Sequence, residues 1–133
     1  MDTVLIDCLT PELYQGHGDR HLWGQRPGHI PGAVNVPYID PGLAEATAAQ
    51  RERVLASGRS FTFASSRELA DLYSAAGVRQ GKSVITYCGR GYAAACGLLA
   101  LKVLGHQDVR LYDGSWTEWS ADPNLPIEIG PKA

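Results

Sequence analysis

Cysteine is scarce in this sequence: three residues in 133, at positions 8, 88 and 96. That spacing gives no disulfide framework and no paired metal-ligand motif, and a reducing cytoplasm is the expected setting. Basic residues are not in excess either. Twelve Lys and Arg against 14 Asp and Glu give a formal net charge of -2, the wrong sign for a nucleic-acid surface. No apolar run approaches the ~20 residues a bilayer crossing needs. Residues 1–7 have neither a basic region nor a long apolar core, so no secretory signal is read there. What is present is ordinary for a globular chain, 44% hydrophobic and 20% charged. The length suits one domain, 1–133, with a core of its own. No internal repeat is visible.

Of the three cysteines, Cys88 stands in the most informative stretch, Val84-Ile85-Thr86-Tyr87-Cys88-Gly89-Arg90-Gly91-Tyr92-Ala93-Ala94. Residues 84–87 are β-branched or aromatic and read as a buried strand. Gly89 and Gly91 permit a tight turn with positive φ. Residues 92–104 are almost wholly apolar, which predicts a helix buried on most sides and stopped by Gly105. A thiol between a strand and a helix lies where orphan backbone N–H groups converge, and Arg90 adds a fixed cation. Such surroundings favour the thiolate, which is the nucleophile. The competing reading is a small buried apolar residue that precedes a turn. Cys96, two turns into the helix, is read as packing.

The rest of the chain alternates strands with helical segments. Residues 4–8 read as a central strand that delivers Asp7 to its carboxyl end. Thr10-Pro11-Glu12 opens a short helix, with Thr10 as cap and Pro11 at the first helical position. Residues 15–31 form a loop rich in glycine, histidine and proline. His17, His21 and His29 lack the further ligands of a metal set, and His29 is expected to bond the loop's own backbone. Arg20 reads as a solvated charge, whereas Arg26 could lean toward an anion site. Residues 33–37 form a second strand, and 42–56 an alanine-rich surface helix. Ser65 and Glu68 form a capping box ahead of Leu69, Leu72, Tyr73 and Ala76, an amphipathic helix closed by Gly77. Residues 108–112 are another strand. Asp113 and Gly114 then turn into a last helix, with Ser115 and Glu118 as a second capping box. Trp116 is either a core anchor or part of the wall of a cysteine pocket.

This alternation predicts an α/β fold, three layers α/β/α around a parallel sheet of four to five strands. Ligands of such sheets lie outside the carboxyl ends of the strands. Asp7, Cys88 and Asp113 all fall at such ends, so three segments converge on one site.

Three blocks resemble the rhodanese family of thiosulfate and 3-mercaptopyruvate sulfurtransferases: residues 28–37 (Gly28-His29-Ile30-Pro31-Gly32-Ala33 and onward), 87–94, and 112–119 (Tyr112-Asp113-Gly114-Ser115-Trp116-Thr117-Glu118-Trp119). The resemblance runs from Val4 to about Pro126 and is greatest to the catalytic carboxyl-terminal half of a tandem rhodanese, with the family's first strand and helix missing. It implies that Cys88 takes the outer sulfur of a donor as a persulfide and passes it to a thiophilic acceptor such as cyanide, a small thiol or a thiol protein. The backbone of Gly89, Arg90, Gly91, Tyr92 and Ala93 would hold that sulfur, with no metal or organic cofactor. Phosphatases of this fold carry an arginine six positions after the cysteine to clamp phosphate, and that position is Ala94. Arg90 matches the cation of thiosulfate enzymes, and Gly89 the mercaptopyruvate pattern. The sequence departs from the family at Leu9 and Leu13, where arginines are usual, leaving Arg26 or Arg20 to compensate. A non-catalytic interaction domain is the remaining alternative, against which the retained Cys88 argues.

Overall fold

The computed structural model describes residues 3–17, 24, 26–37 and 66–131. In these, four strands and four helices follow in the order β1 (Thr3–Asp7), α1 (Pro11–Gln15), β2 (Val34–Asn35), α2 (Ser66–Ala75), β3 (Ser83–Tyr87), α3 (Tyr92–Val103), β4 (Val109–Leu111) and α4 (Ser115–Ala121). The strands form one sheet in the order β2-β1-β3-β4, every pairing parallel. β1 and β3 pair residue for residue from Thr3↔Ser83 to Asp7↔Tyr87, so the two central strands end side by side.

Strand periodicity divides the core between the two faces of the sheet. Val4, Ile6, Val84 and Val109 pack on one face with Cys8, Cys88, Tyr73, Val78, Ala94 and Leu101, under α2 and α3. Leu5 and Tyr87 face the other side, against Tyr14, Ile30, Ala33 and Trp116. A parallel sheet covered on both faces is the three-layer arrangement the alternation predicts. Ile6, Val84 and Leu101 are fully buried, each contributing roughly 1.5–3 kcal/mol by leaving water.

The helices end largely where the sequence places their ends. Gly77 and Gly105 take positive φ, 91° and 93°, just beyond α2 and α3. Behind Gly105 the His106 N–H reaches back to the Leu101 carbonyl at 3.0 Å. α3 differs from expectation on one side, because Leu99 and Val103, a turn apart, are 53% and 68% exposed. Thr10 precedes α1 with extended backbone, but its side chain makes no capping bond. Gly97 lets α3 lie directly on the end of β1: a Cβ there would stand 2.8 Å from the Cys8 sulfur. Ser65, the Glu68 side chain and the alanine-rich segment 42–56 lie outside the described residues.

Beyond α4 the chain returns to the glycine-rich loop. His29 and Glu128 exchange backbone bonds of 2.9 Å in an antiparallel bridge, and the Gly130 N–H donates to the Gln15 carbonyl at 2.8 Å. Among the described residues no helix is long and apolar enough to cross a membrane.

Candidate active site

Cys88 stands immediately after β3 and is 2% exposed. The turn beyond it bends back so that the Gly91 N–H donates to Cys88 Sγ at 3.0 Å. Gly91 is the residue on which α3 begins, and it reaches this position with φ of 100°. An L side chain would be strained there, and its Cβ would also meet Asp113 Oδ1 at 3.0 Å. Asp113, itself exposed, is thus brought against the cysteine loop as its strand-end position implies. Arg90 is exposed, Gly89 is buried and Ala93 half-buried. The Tyr92 side chain lies outside the described residues.

The loop is fixed from one side by the start of α4. The Cys88 N–H donates to Ser115 Oγ at 3.2 Å, and that hydroxyl donates onward to the Tyr112 carbonyl at 2.8 Å. The Trp116 N–H donates to the Cys88 carbonyl at 2.8 Å, and the Thr117 N–H to the Gly89 carbonyl at 3.1 Å. Thr117 Oγ1 donates to the same Gly89 oxygen at 2.8 Å. First-turn N–H groups have no partner inside their own helix, so α4 satisfies them on the cysteine loop. Ser115 occupies the left-handed region, φ 52°, unlike every other described non-glycine residue. Strain of this kind costs on the order of 1–3 kcal/mol and persists only where surrounding contacts hold it.

This corrects the expected Ser115–Glu118 capping box. Gly114 is the residue before α4, without a side-chain capping bond, and the Ser115 hydroxyl serves Cys88 and Tyr112 instead. Glu118 accepts from the Tyr112 hydroxyl at 2.7 Å. Neither Ser115 nor Thr117 is picked out by sequence reasoning as a neighbour of Cys88. The only available signal is indirect: they come after β4, the strand beside β3, and so emerge next to Cys88.

Arg26 has a different employment from the one expected, and Trp116 takes the first of its two readings. Arg26 does not turn to an anion site. Its Nε donates to the Ser120 carbonyl at 3.0 Å, and its Nη2 to those of Asp122 at 2.8 Å and Leu125 at 3.0 Å. The carbonyls left unpaired at the end of α4 thus claim the guanidinium. Trp116 is fully buried in the cluster of Tyr14, Ile30, Ala33 and Tyr87, and its indole N–H donates to the Arg26 carbonyl at 2.9 Å. It anchors α4 on the core, and its backbone rather than its ring serves the cysteine loop. Arg20 and His21 lie outside the described residues.

Asp7 does end β1 beside the site, but its carboxyl is occupied locally. Oδ1 accepts the Leu9 N–H at 2.8 Å, and the Tyr87 hydroxyl is the second partner. Complete burial pushes the Asp7 carboxyl up to about 7, against the two hydrogen bonds, which lower it. The Tyr87 hydroxyl also accepts the Ile30 N–H at 3.0 Å, and burial beside Asp7 raises its own titration far above the usual value. His29 is likewise internal and stacks on Tyr14 with centroids 3.7 Å apart. Its Nδ1 lies 2.6 Å from the Tyr14 carbonyl and its Nε2 3.2 Å from Glu128 Oε2. His29 therefore bonds α1 and the returning segment, not the loop it belongs to.

A strand-end cysteine in a glycine-rich loop, braced by the next strand's helix, marks an α/β domain with Cys88 as its candidate nucleophile. The rhodanese-like domain model matches residues 1–122, and the chain belongs to the rhodanese family. It is 39% identical over 132 residues to the protein named "Putative thiosulfate sulfurtransferase 1" of Mycobacterium bovis, covering 95% of this chain and 42% of the relative. It is 37% identical over 124 residues to a 3-mercaptopyruvate sulfurtransferase of Escherichia coli, covering 93% and 38%. Among solved structures it is similar to the anaerobic ergothioneine biosynthesis enzyme of Chlorobium limicola, with a TM-score of 0.75 and 27% identity over 97% of this chain and 28% of that one. The chain spans about two fifths of the length of the curated relatives it matches.

Proposed function

We propose that this chain is a sulfurtransferase domain that carries sulfur on Cys88, with thiosulfate as the preferred donor. The observation that carries the reading is the Gly91 N–H directed at Cys88 Sγ, in a loop whose Cys88 and Gly89 carbonyls are drawn off to α4. An amide donor beside a sulfur favours its anionic form, both as thiolate and as persulfide. In the first step the Cys88 thiolate attacks the outer sulfur of thiosulfate. A new S–S bond forms, the donor's own S–S bond breaks, and sulfite leaves with the bonding pair, giving Cys88–S–S⁻. In the second step cyanide or a thiolate takes the outer sulfur and the Cys88 thiolate is restored. Charge balances in both steps, and no redox partner is needed.

Arg90 supports the choice of donor. It is exposed beside the loop, and its cation suits the dianion of thiosulfate better than the monoanion of 3-mercaptopyruvate. The relatives carry both activities in their names, so 3-mercaptopyruvate is the alternative donor, releasing pyruvate. A carrier that hands the persulfide sulfur to a partner protein shares the first step and differs in the acceptor. Incubation with each donor, followed by intact mass and peptide mapping, tests the reading. One added sulfur on Cys88 and turnover with cyanide support it, a stable adduct without turnover favours the carrier, and no adduct with either donor removes it.

A further inference from the structure

Building on the sulfur-transfer reading, we propose that Thr117 is a positioning residue for the Cys88 loop, acting through its hydroxyl on the Gly89 carbonyl. Two donors from one residue meet that oxygen, the Thr117 N–H at 3.1 Å and Oγ1 at 2.8 Å, so both lone pairs are engaged. Its neighbour Trp116 holds the preceding carbonyl, that of Cys88, at 2.8 Å. The described peptide bonds are all trans. In a trans peptide the N–H points opposite to the carbonyl of the same plane. Drawing the Cys88 and Gly89 carbonyls onto α4 therefore turns the Gly89 and Arg90 N–H groups away from α4. Two glycines flank Arg90, and a glycine-rich segment has little intrinsic reason to keep one orientation of its peptide planes. The backbone bonds of α4 come with any residue at position 117. The hydroxyl does not, and it is the shorter of the two contacts on Gly89.

The reaction makes this orientation matter. The negative charge moves from Sγ to the outer sulfur as the persulfide forms, so amides beyond Gly91 must already face the place where it arrives. A Gly89–Arg90 plane free to rotate would present a carbonyl to that sulfur for part of the time. Thr117 lies at the surface, so its replacement leaves the core intact.

The test compares Thr117→Val, which keeps the branched shape without the hydroxyl, with Thr117→Ser, which keeps the hydroxyl. The measurements are single-turnover loading of Cys88 from thiosulfate, Cys88 alkylation by iodoacetamide at neutral pH with subsequent peptide mapping, and the melting temperature. Loss of one hydrogen bond predicts loading about three- to tenfold slower for the valine variant, with the serine variant within about twofold of the parent. Melting temperatures should stay together. Valine loading at the parental rate overturns the proposal, and so does serine loading as slow as valine, because the hydroxyl is then not the cause. Should the parent chain take no sulfur from either donor, the sulfur-transfer reading fails and alkylation decides the positioning role separately. Slower alkylation in valine alone upholds Thr117, and equal rates dismiss it.

Discussion

Cys8 and Cys88 occupy equivalent places in adjacent strands. Each comes directly after the last residue of a central parallel strand, and those last residues, Asp7 and Tyr87, pair with one another. Both cysteines are buried, and both belong to the same side of the core. The chain takes a different course beyond each of them. After Cys8 the next amide, Leu9 N–H, goes to the Asp7 carboxylate, and the chain moves straight into α1. The Cys8 thiol is pushed well above its usual range by burial and by the neighbouring charge of Asp7. After Cys88 a two-glycine turn brings an amide back to the sulfur, and a second helix holds the turn's carbonyls. A shared strand-end position therefore leaves the two thiols in different surroundings; the path of the next three residues decides which sulfur meets a backbone amide.

Exchanging the two thiols' fates is the sharpest challenge to that comparison. Cys88→Ser should lower sulfur transfer at least ~1000-fold while leaving folding intact, since a hydroxyl is far less nucleophilic than a thiolate at neutral pH. Cys8→Ala should keep full activity and lose only packing, about 1 kcal/mol in urea unfolding. Comparable losses of turnover in both variants would break the distinction.

Asp7→Asn removes the charge that helps to keep Cys8 neutral, and its effect is on stability against pH. The Asp7 carboxyl titrates at about 7 in the fold and near the usual ~4 when unfolded. The folded state thus binds the proton more tightly, so the stability associated with the neutral acid is fully present below pH ~4 and is lost as pH rises through about 7. Asparagine keeps an acceptor for the Leu9 N–H without that dependence. Relative to the variant, the parent should lose up to a few (~2–4) kcal/mol between pH 4 and 8 in urea titrations. Parallel stability curves would show that Asp7 is ionised at no cost.

Gly91→Ala makes the Cys88 loop more like that of Cys8 by disfavouring the bend that returns the amide to sulfur. Strain at positive φ of ~1–2 kcal/mol, added to the close approach to Asp113, should slow Cys88 loading about tenfold or more. Loading at the parental rate would mean that the bend is dispensable. The smallest effect is expected from Arg26→Ala. Loss of the guanidinium from the end of α4 should destabilise the fold by ~1–2 kcal/mol with KM for thiosulfate unchanged. A raised KM without loss of stability would return Arg26 to the substrate.

Much of the architecture was legible because it is written in local patterns. The β-branched run before Cys88, the i, i+3, i+4, i+7 stripe from Leu69 to Ala76 and the glycines at 77 and 105 each act through near neighbours in sequence. Asp113 was legible at one remove, since strand ends of a parallel sheet gather on one edge. The illegible part involves partners far apart in the chain. Arg26 meets carbonyls 94 to 99 residues away, and the cysteine loop meets Ser115 and Thr117 at separations of 27 and 28. Ser115 reads as a cap because serine with glutamate three residues later is the usual signature. That pattern says nothing about a left-handed backbone, which tertiary contacts impose.

The left-handed Ser115 sets two demands on one position that no single amino acid meets in full. Glycine would settle into that backbone with ease but would leave the Cys88 N–H without its acceptor; serine supplies the acceptor at a conformational cost. Glycine at 115 should thus change thermal tolerance little, because relief of strain is offset by the orphaned amide, while it loosens the anchorage of the Cys88 loop.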